Sequence, residues 1–323
     1  MTDEGPVAAR GPARRVIALV GVVIAAVGLV FVVRAVGRNW DEVRDALRTA
    51  SVGWLILAFP VALAAMATIG AGWRRAIRLV GAERPLGEVL RWYFVGQLGK
   101  YVPGALWAVV GRAELAASGG LGRTAAYTST GLSMVATYLA AGLVAVVTLP
   151  LAIAGGGELD EALWALLFVP AGLLVLHPAV LSWLVRSGER VFGDGRHAVV
   201  PRWWPTVRLV LSLLPSWLLI GTATWLVTRG LDPSAPFAPV LFATALSWLV
   251  GFVVVPVPGG LGVREATFTA LAATVVPVGV AAAAALVARV LFMVVDVTGA
   301  ALVTVPRQAR RRARPAPADP ARR

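Results

Sequence analysis

The sequence predicts an all-α polytopic membrane protein, and three observations support this fold class. Of the 323 residues, 58% are hydrophobic, and the mean hydropathy is +0.78. Only 15% are charged, whereas soluble domains have about 25%, so a soluble chain of this size could not cover its surface. Several apolar runs are continuous rather than alternating, and they exceed the roughly 18 residues that a helix needs to cross a bilayer. These runs predict a bundle of membrane-spanning helices.

About eight crossings are expected. The first, at 16–33, is expected to remain uncleaved because its apolar core is longer than that of a signal peptide. The last apolar block, 266–306, has 41 residues and would extend about 61 Å as one helix, twice the thickness of the hydrocarbon. It is therefore expected to turn at Pro277 into a short helix, 262–276, and a span, 280–305. The other predicted spans are 51–72, 125–150, 162–185, 209–228 and 237–256.

The positions of the arginines predict the orientation of the chain. Basic loops remain in the cytoplasm, which places both termini inside, as an N-terminal tail at 1–15 and a disordered basic tail at 306–323. A single crossing by 86–118 would turn the five-arginine segment 186–208 outward, so 86–118 is expected to dip in and return as one re-entrant hairpin. The segment 34–48 fits this scheme poorly, because it would lie outside with four arginines. The expected location is the bacterial cell (plasma) membrane.

Two interruptions of the apolar pattern resemble each other. The first has VPG at 102–104 and GRAE at 111–114, and the second has VPGG at 257–260 and GVRE at 262–265. Their matching prolines are 155 residues apart, close to half the chain. Pro/Gly breaks at corresponding places in two halves are typical of transporters built from internal repeats, so an internal two-fold repeat is expected. The alternative is that each break is an ordinary loop between spans.

The backbone at these breaks is expected to bind anions. A proline can begin a helix inside the membrane, and the helix N-terminus then presents free N–H groups to phosphate or carboxylate. Irregular backbone at membrane depth is tolerated where it lines a protected, wet cavity. The residues expected to form the breaks are Pro103, Gly104, Pro258, Gly259 and Gly260.

Seven charged side chains are predicted to line this cavity and to hold a headgroup or balance its charge. Arg289 and Asp296 are two helical turns apart, about 10 Å along the axis, so they cannot pair directly and each is expected to pair with a group at one of the breaks. The alternative is that these ion pairs only lock helices together. Lys100 is the only lysine in the chain, and its compact ammonium is not equivalent to a guanidinium. The predicted site residues are Lys100, Arg112, Glu114, Arg264, Glu265, Arg289 and Asp296.

Other features exclude several classes of function. The chain has no cysteine and only two histidines, His177 and His197, without metal-ligand spacing, so no metal or other cofactor is expected. The sequence has no acidic DxD motif and no histidine–carboxylate arrangement, and the protein is not expected to be an enzyme. The basic C-terminal tail lacks aromatic residues for base stacking, so no nucleic acid is expected as a partner. Tryptophans near span ends, including Trp73 and Trp92, are expected in an aromatic belt.

A family resemblance rests on two segments, GQLGKYVPGALWAVVGRAELA at 96–116 and PVPGGLGVREATFTALAA at 256–273. They resemble the signature segments of the lysylphosphatidylglycerol synthase transmembrane-region family, also called flippase-like domain proteins. The resemblance covers one domain at 16–305, with the break motifs in 86–118 and 255–276. Well-known members add a soluble synthase domain that transfers an aminoacyl group from tRNA to phosphatidylglycerol. We expect a stand-alone member without that domain, because the chain ends at residue 323.

The resemblance implies that the protein moves a lipid between leaflets. A phosphate-bearing headgroup suits a cavity with more basic than acidic groups, so the expected substrate is an anionic phospholipid or a polyprenyl phosphate. Three alternatives stay open. They are a transporter of a small soluble substrate, a non-catalytic membrane partner of a separate lipid-modifying enzyme, and a membrane-embedded enzyme such as a lipid-linked glycosyltransferase.

Overall fold

The computed structural model describes residue 30 and residues 33–101, 107–154, 203–253 and 262–312. Within these ranges the chain forms helices and connecting turns, with no β-strand. A short 3-10 helix, Leu98–Tyr101, follows the third α-helix. The α-helices are α1 (Trp40–Arg48), α2 (Val52–Leu79), α3 (Leu86–Gln97), α4 (Trp107–Ser118), α5 (Arg123–Ala154), α6 (Trp203–Leu211), α7 (Leu214–Leu231), α8 (Phe237–Val253), α9 (Val263–Ala272) and α10 (Val278–Arg312).

Four helical stretches are long and apolar enough to cross a membrane. They are α2, α5, the run of α6 and α7 from Trp203 to Leu231, and the Val278–Thr304 part of α10. A fifth apolar helix, α8, is shorter. These helices confirm the predicted all-α membrane fold. The spans predicted at 162–185 and, almost entirely, at 16–33 lie outside the described residues.

Helices α3 and α4 form an antiparallel hairpin. Near the closed end of the hairpin, a Cβ added to Gly96 would lie 2.8 Å from the Cβ of Arg112, and near its open end Gly119 packs on the indole of Trp92. Each helix has 12 residues and is about 18 Å long, well short of ~30 Å of hydrocarbon. This geometry agrees with the re-entrant hairpin predicted at 86–118. The corner predicted at Pro103 and Gly104 lies outside the described residues.

Helices α8 and α9 form a second hairpin, and α9 lies within the short helix predicted at 262–276. Helix α9 has only ten residues, about 15 Å, and it packs along α8, with Gly251 against Arg264. It begins at Gly262, whose φ of +81° favours glycine, and it ends in turns at 273–276. These two boundaries make α9 shorter than the helix predicted at 262–276. Pro277 precedes α10, which confirms the predicted corner.

The two halves of the bundle have the same order of packing. Helix α2 contacts α3 and α5, α3 contacts α4, and α4 contacts α5; in the second half α7 contacts α8 and α10, α8 contacts α9, and α9 contacts α10. Helices α2 and α7 pair antiparallel, because Gly72 lies against Leu213 and Gly230 lies against Trp54. The structure therefore supports the predicted two-fold repeat and shows that its halves are inverted, as in many transporters.

Helix α10 joins elements from both halves. It packs against α3 of the first hairpin and α9 of the second, and its N-terminal part packs against α1. The backbone N–H of Gly279 donates to Glu42 Oε2 at 2.9 Å, so α1 places a carboxylate at the positive end of α10. This contact gives the segment 34–48 a structural role that its charge count did not predict.

Candidate functional site

Helix α10 carries two charged side chains that reach different hairpins. Arg289 Nη1 donates to Glu265 Oε1 of α9 at 2.5 Å. Two turns further along, Asp296 Oδ2 pairs with Lys100 Nζ in the 3-10 helix after α3. The prediction that each residue pairs with a group at a break, and not with the other, is confirmed.

In the described part of the chain, only one oxygen of the Asp296 carboxylate has partners. Its side chain is 0% exposed, and Oδ2 also accepts a hydrogen bond of 2.7 Å from the Tyr101 hydroxyl. The second oxygen, Oδ1, is buried without a hydrogen-bond partner in the described part of the chain. Tyr101 was not among the predicted site residues, although its position next to Lys100 was the available signal. The Lys100 side chain is 22% exposed, so the pair lies at the edge of the buried region.

Glu265 serves three donors with one carboxylate. Its Oε2 accepts the backbone N–H of Gly262 at 2.8 Å, so the carboxylate caps the N-terminus of α9 as the glutamate of a capping box does. Its Oε1 accepts from Arg289 and lies 3.5 Å from Arg264 Nε. Two guanidinium groups therefore share one negative charge.

Arg112 has an aromatic environment and no acidic partner within 4 Å among the residues that the structure describes. It is 6% exposed, and its guanidinium lies over the rings of Trp73 at 5.0 Å and Tyr93 at 5.7 Å. Its Nε has no hydrogen-bond partner there either. Trp73 and Trp92 are fully buried and pack edge to face, so their prediction as belt residues is wrong. Trp73 lies far enough along α2 to reach the interior of the bundle.

Glu114 lies apart from the other predicted site residues. It accepts hydrogen bonds from Arg123 Nη2 at 2.8 Å and the Tyr127 hydroxyl at 2.7 Å, both on α5. Its side chain is 39% exposed. Residues two positions apart on a helix do not share a face, so Glu114 points away from the face of α4 on which Arg112 is buried.

A small cavity lies in the second half. Its polar lining includes Arg264 and Glu265 of α9 with Thr244 and Ser247 of α8. Trp248 also lines it, with the Arg264 guanidinium 4.3 Å above the indole. The Arg264 guanidinium can bind an anionic oxygen at this wall. Both hydroxyls already donate to backbone carbonyls, Thr244 to Val240 and Ser247 to Thr244.

The charges of this cluster do not balance. The described hairpins and α10 bring together four basic side chains and two carboxylates, leaving an excess of two positive charges. The members are Lys100, Arg112, Arg264, Arg289, Glu265 and Asp296. The predicted break residues Pro103, Gly104, Pro258, Gly259 and Gly260 lie outside the described residues. Over the ranges that the structure covers, no group of three or more potential metal ligands occurs.

Comparison with known proteins assigns a family. The sequence model described as the lysylphosphatidylglycerol synthase TM region matches residues 18–298. This range contains both hairpins and all seven predicted site residues. No curated protein matches the chain. Because the match extends over most of the sequence, the chain belongs to the family of the lysylphosphatidylglycerol synthase TM region.

Proposed function

We propose that this protein moves a lipid with an anionic, phosphate-bearing headgroup between the leaflets of a bacterial cell membrane. The substrate is an anionic phospholipid or a lipid-linked phosphate such as a polyprenyl phosphate. The observation that carries the proposal is the excess of two positive charges among the described residues of the inverted hairpins and α10, where Arg112 is buried and Arg264 is 15% exposed. In this proposal the chain performs transport and no covalent chemistry, and its termini lie in the cytoplasm.

Electrostatics support an anionic substrate. A cation buried without a partner costs several kcal/mol, roughly 3 kcal/mol or more within a membrane span. Arg112 has no described carboxylate, and Arg264 shares Glu265 with Arg289. A phosphate can accept paired N–H bonds from a guanidinium fork, so it would neutralise the site and satisfy the free donors together.

The test is lipid movement in proteoliposomes. A fluorescent phosphatidylglycerol is placed in both leaflets, and a quencher is added outside. We expect the wild-type protein to bring the inner-leaflet lipid to the outer leaflet, where its fluorescence is quenched. The Arg112→Ala, Arg264→Ala double variant should be slower by about tenfold or more, because each lost charge-assisted hydrogen bond contributes about 1.5–3 kcal/mol. Arg229→Ala is the matched control, since Arg229 also stacks on a tryptophan, Trp225, but at the end of α7.

Three outcomes separate the candidates. Equal rates for wild type and the double variant would contradict the proposal. Uptake of a soluble solute in place of lipid movement would favour a small-molecule transporter. A folded protein without either activity, whose deletion abolishes a lipid-modifying enzyme, would favour the role of a non-catalytic partner.

The lone lysine provides a second prediction. We expect Lys100→Arg to slow lipid movement by about tenfold, the effect of losing one hydrogen bond to a charged group, while membrane insertion stays normal. Lys100 and the Tyr101 hydroxyl meet at the same oxygen of Asp296, and a broad planar guanidinium would compete with the phenol there. The flip assay, scaled to the amount of folded protein after gel filtration, measures the effect. A fully active variant would show that any cation suffices at this position.

A further inference from the structure

The ion pair between Asp296 and Lys100 leaves one carboxylate oxygen unused. Lys100 Nζ and the Tyr101 hydroxyl both meet Asp296 Oδ2, whereas Oδ1 is buried and has no hydrogen-bond partner among the described residues. Buried polar atoms in native structures nearly always have a partner. This oxygen is therefore suited to a ligand that the described side chains do not supply, and a proton is the smallest such ligand.

Most groups around Asp296 cannot take up a proton at neutral pH. Tyr93 of α3 and Tyr101 lie within electrostatic reach of the carboxylate, and Lys100 pairs with it. Phenols and ammonium groups already carry their protons at neutral pH. Guanidinium groups are always protonated, which excludes the arginines near these tyrosines. They are Arg112, Arg264 and Arg289. Within the described cluster only the carboxylates of Asp296 and Glu265 remain as proton acceptors.

Glu265 has no oxygen to spare for a proton. Its Oε2 accepts the backbone N–H of Gly262, and its Oε1 accepts from Arg289. Protonation of either oxygen would weaken a contact that holds α9 in place. Asp296 differs, because a proton on Oδ1 leaves the hydrogen bond from Tyr101 to Oδ2 intact.

Other carboxylates on the helices that pack against α10 lie farther away. Glu42 of α1 binds the N–H of Gly279, about 25 Å along α10 from Asp296. Glu88 lies in the first turn of α3, about 18 Å along the hairpin from Lys100. The two other acidic residues of α1 are exposed at the same end as Glu42, and they are Asp41 and Asp45. The unused oxygen of Asp296 is therefore the best-placed proton acceptor among the described groups.

The Lys100 ammonium can neutralise either Asp296 or a bound phosphate. Its side chain is 22% exposed, so water and a headgroup can reach it. A phosphate that draws Lys100 away would leave the Asp296 carboxylate buried without a counter-charge, which is strongly unfavourable. Tyr93 lies within electrostatic reach of both Arg112 and Asp296, so a phosphate held by Arg112 would also bring its negative charge near the carboxylate. A proton on Oδ1 removes both penalties.

We propose that Asp296 binds one proton on Oδ1 whenever a phosphate-bearing headgroup takes Lys100 from it, so that the proton and the headgroup are transported together. A hydronium ion supplies the proton and becomes water, and an O–H bond forms at Oδ1. This bond breaks when the headgroup leaves and Lys100 returns to Asp296. For a headgroup with one negative charge the loaded and empty sites have equal net charge, so transport is electrically neutral. Joint transport rests on the proposed function, whereas protonation of Asp296 rests on the geometry of the ion pair.

Proton uptake in weakly buffered detergent solution tests this proposal. Dioctanoyl phosphatidylglycerol is added to the delipidated protein, a pH-indicator dye reports proton uptake, and calorimetry reports the lipid bound. We expect up to one proton per lipid for the wild type and for the control Asp45→Asn, and none for Asp296→Asn. Wild-type affinity for the lipid should fall by up to about tenfold for each unit of rising pH, because binding is linked to the uptake of one proton.

Two further variants protect the test against misfolding. The Lys100→Met, Asp296→Asn double variant has neither charge of the pair, and it should bind lipid more weakly and without proton uptake. Asp296→Glu keeps an ionisable carboxylate and should retain the uptake. Lipid binding by the wild type without proton uptake between about pH 5 and about pH 8 would overturn the proposal. Uptake that persists in Asp296→Asn, or that is lost only in Glu265→Gln, would also overturn it.

The flip assay under a pH gradient keeps the two proposals apart. We expect fluorescent phosphatidylglycerol to accumulate in the leaflet that faces the alkaline side, by up to about tenfold per pH unit, and to be insensitive to the membrane potential. Lipid movement with an equal distribution under the gradient would refute proton coupling alone. Proton uptake on lipid binding by a protein that does not move lipid would refute the proposed function and leave the proton site of Asp296 intact.

Discussion

Exchange of Asp296 for asparagine is expected to lower the free energy of unfolding by about 3 kcal/mol, the low end of the range for removing one partner of a buried ion pair. The carboxylate is fully buried, and its Oδ2 holds both Lys100 Nζ and the Tyr101 hydroxyl. Asparagine keeps the shape but leaves the ammonium without a counter-charge. The value lies at the low end because the Lys100 side chain is 22% exposed and can still reach water.

A double-mutant cycle separates this pair from other effects. Lys100→Met should also destabilise the protein, because it leaves the Asp296 carboxylate buried and unpaired. The Lys100→Met, Asp296→Asn double variant should recover most of the loss, since no buried charge then lacks a partner. Unfolding in detergent, followed by tryptophan fluorescence, provides the measurement. Additive losses would mean that the two side chains do not interact.

A surface carboxylate provides the control. Asp45 on α1 is exposed, so Asp45→Asn should change the free energy of unfolding by no more than about 0.5 kcal/mol. A similar loss in Asp45→Asn and Asp296→Asn would show that the effect comes from net charge and not from the buried pair.

Gly96→Val is expected to lose about 1–3 kcal/mol of stability and most of the lipid movement. A Cβ at this position would lie 2.8 Å from the Cβ of Arg112 and 3.0 Å from its Cα. Backbone atoms of α4 cannot rotate away as the end of a long side chain can, so the hairpin must open. Arg112 would then lose its position over Tyr93. Unfolding and flip assays on the same preparation report both effects.

Gly111→Ala is the matched control in the same hairpin. A Cβ added to Gly111 meets no atom within 4 Å, and alanine is a better helix former than glycine by up to about 1 kcal/mol. We therefore expect unchanged or slightly higher stability and normal lipid movement. Equal behaviour of Gly96→Val and Gly111→Ala would contradict the close approach of α3 and α4.

The long helices could be predicted because lipid imposes a minimum length. Helices α2, α5, α7 and α10 follow from apolar runs, and the first hairpin follows from the arginines that must stay on one side. Helix α9 could not be predicted in the same way. A short helix was expected at 262–276, and only the positive φ at Gly262 and the turns at 273–276 show that it has ten residues.

The contacts of the site could be predicted where the spacing of two residues along one helix determines whether they can meet. The spacing of Arg289 and Asp296 excluded a direct pair, and the structure places each with a different hairpin. Glu114 could have been separated from Arg112 by the same arithmetic, since two positions turn a helix to its other side. Tyr93, Tyr101 and Trp248 were missed, because aromatic residues are frequent in membrane helices and only their tertiary contacts single them out.

One consequence follows from the placement of Arg289 and Asp296 on a single helix. Helix α10 is rigid along its length. It contacts the second hairpin through the Arg289 guanidinium and the first hairpin through the Asp296 carboxylate two turns away. A shift of α10 along its axis, or a rotation about it, therefore strains both ion pairs at the same time. The two hairpins are therefore mechanically linked. When one hairpin separates from α10, the contacts of the other hairpin with α10 change as well.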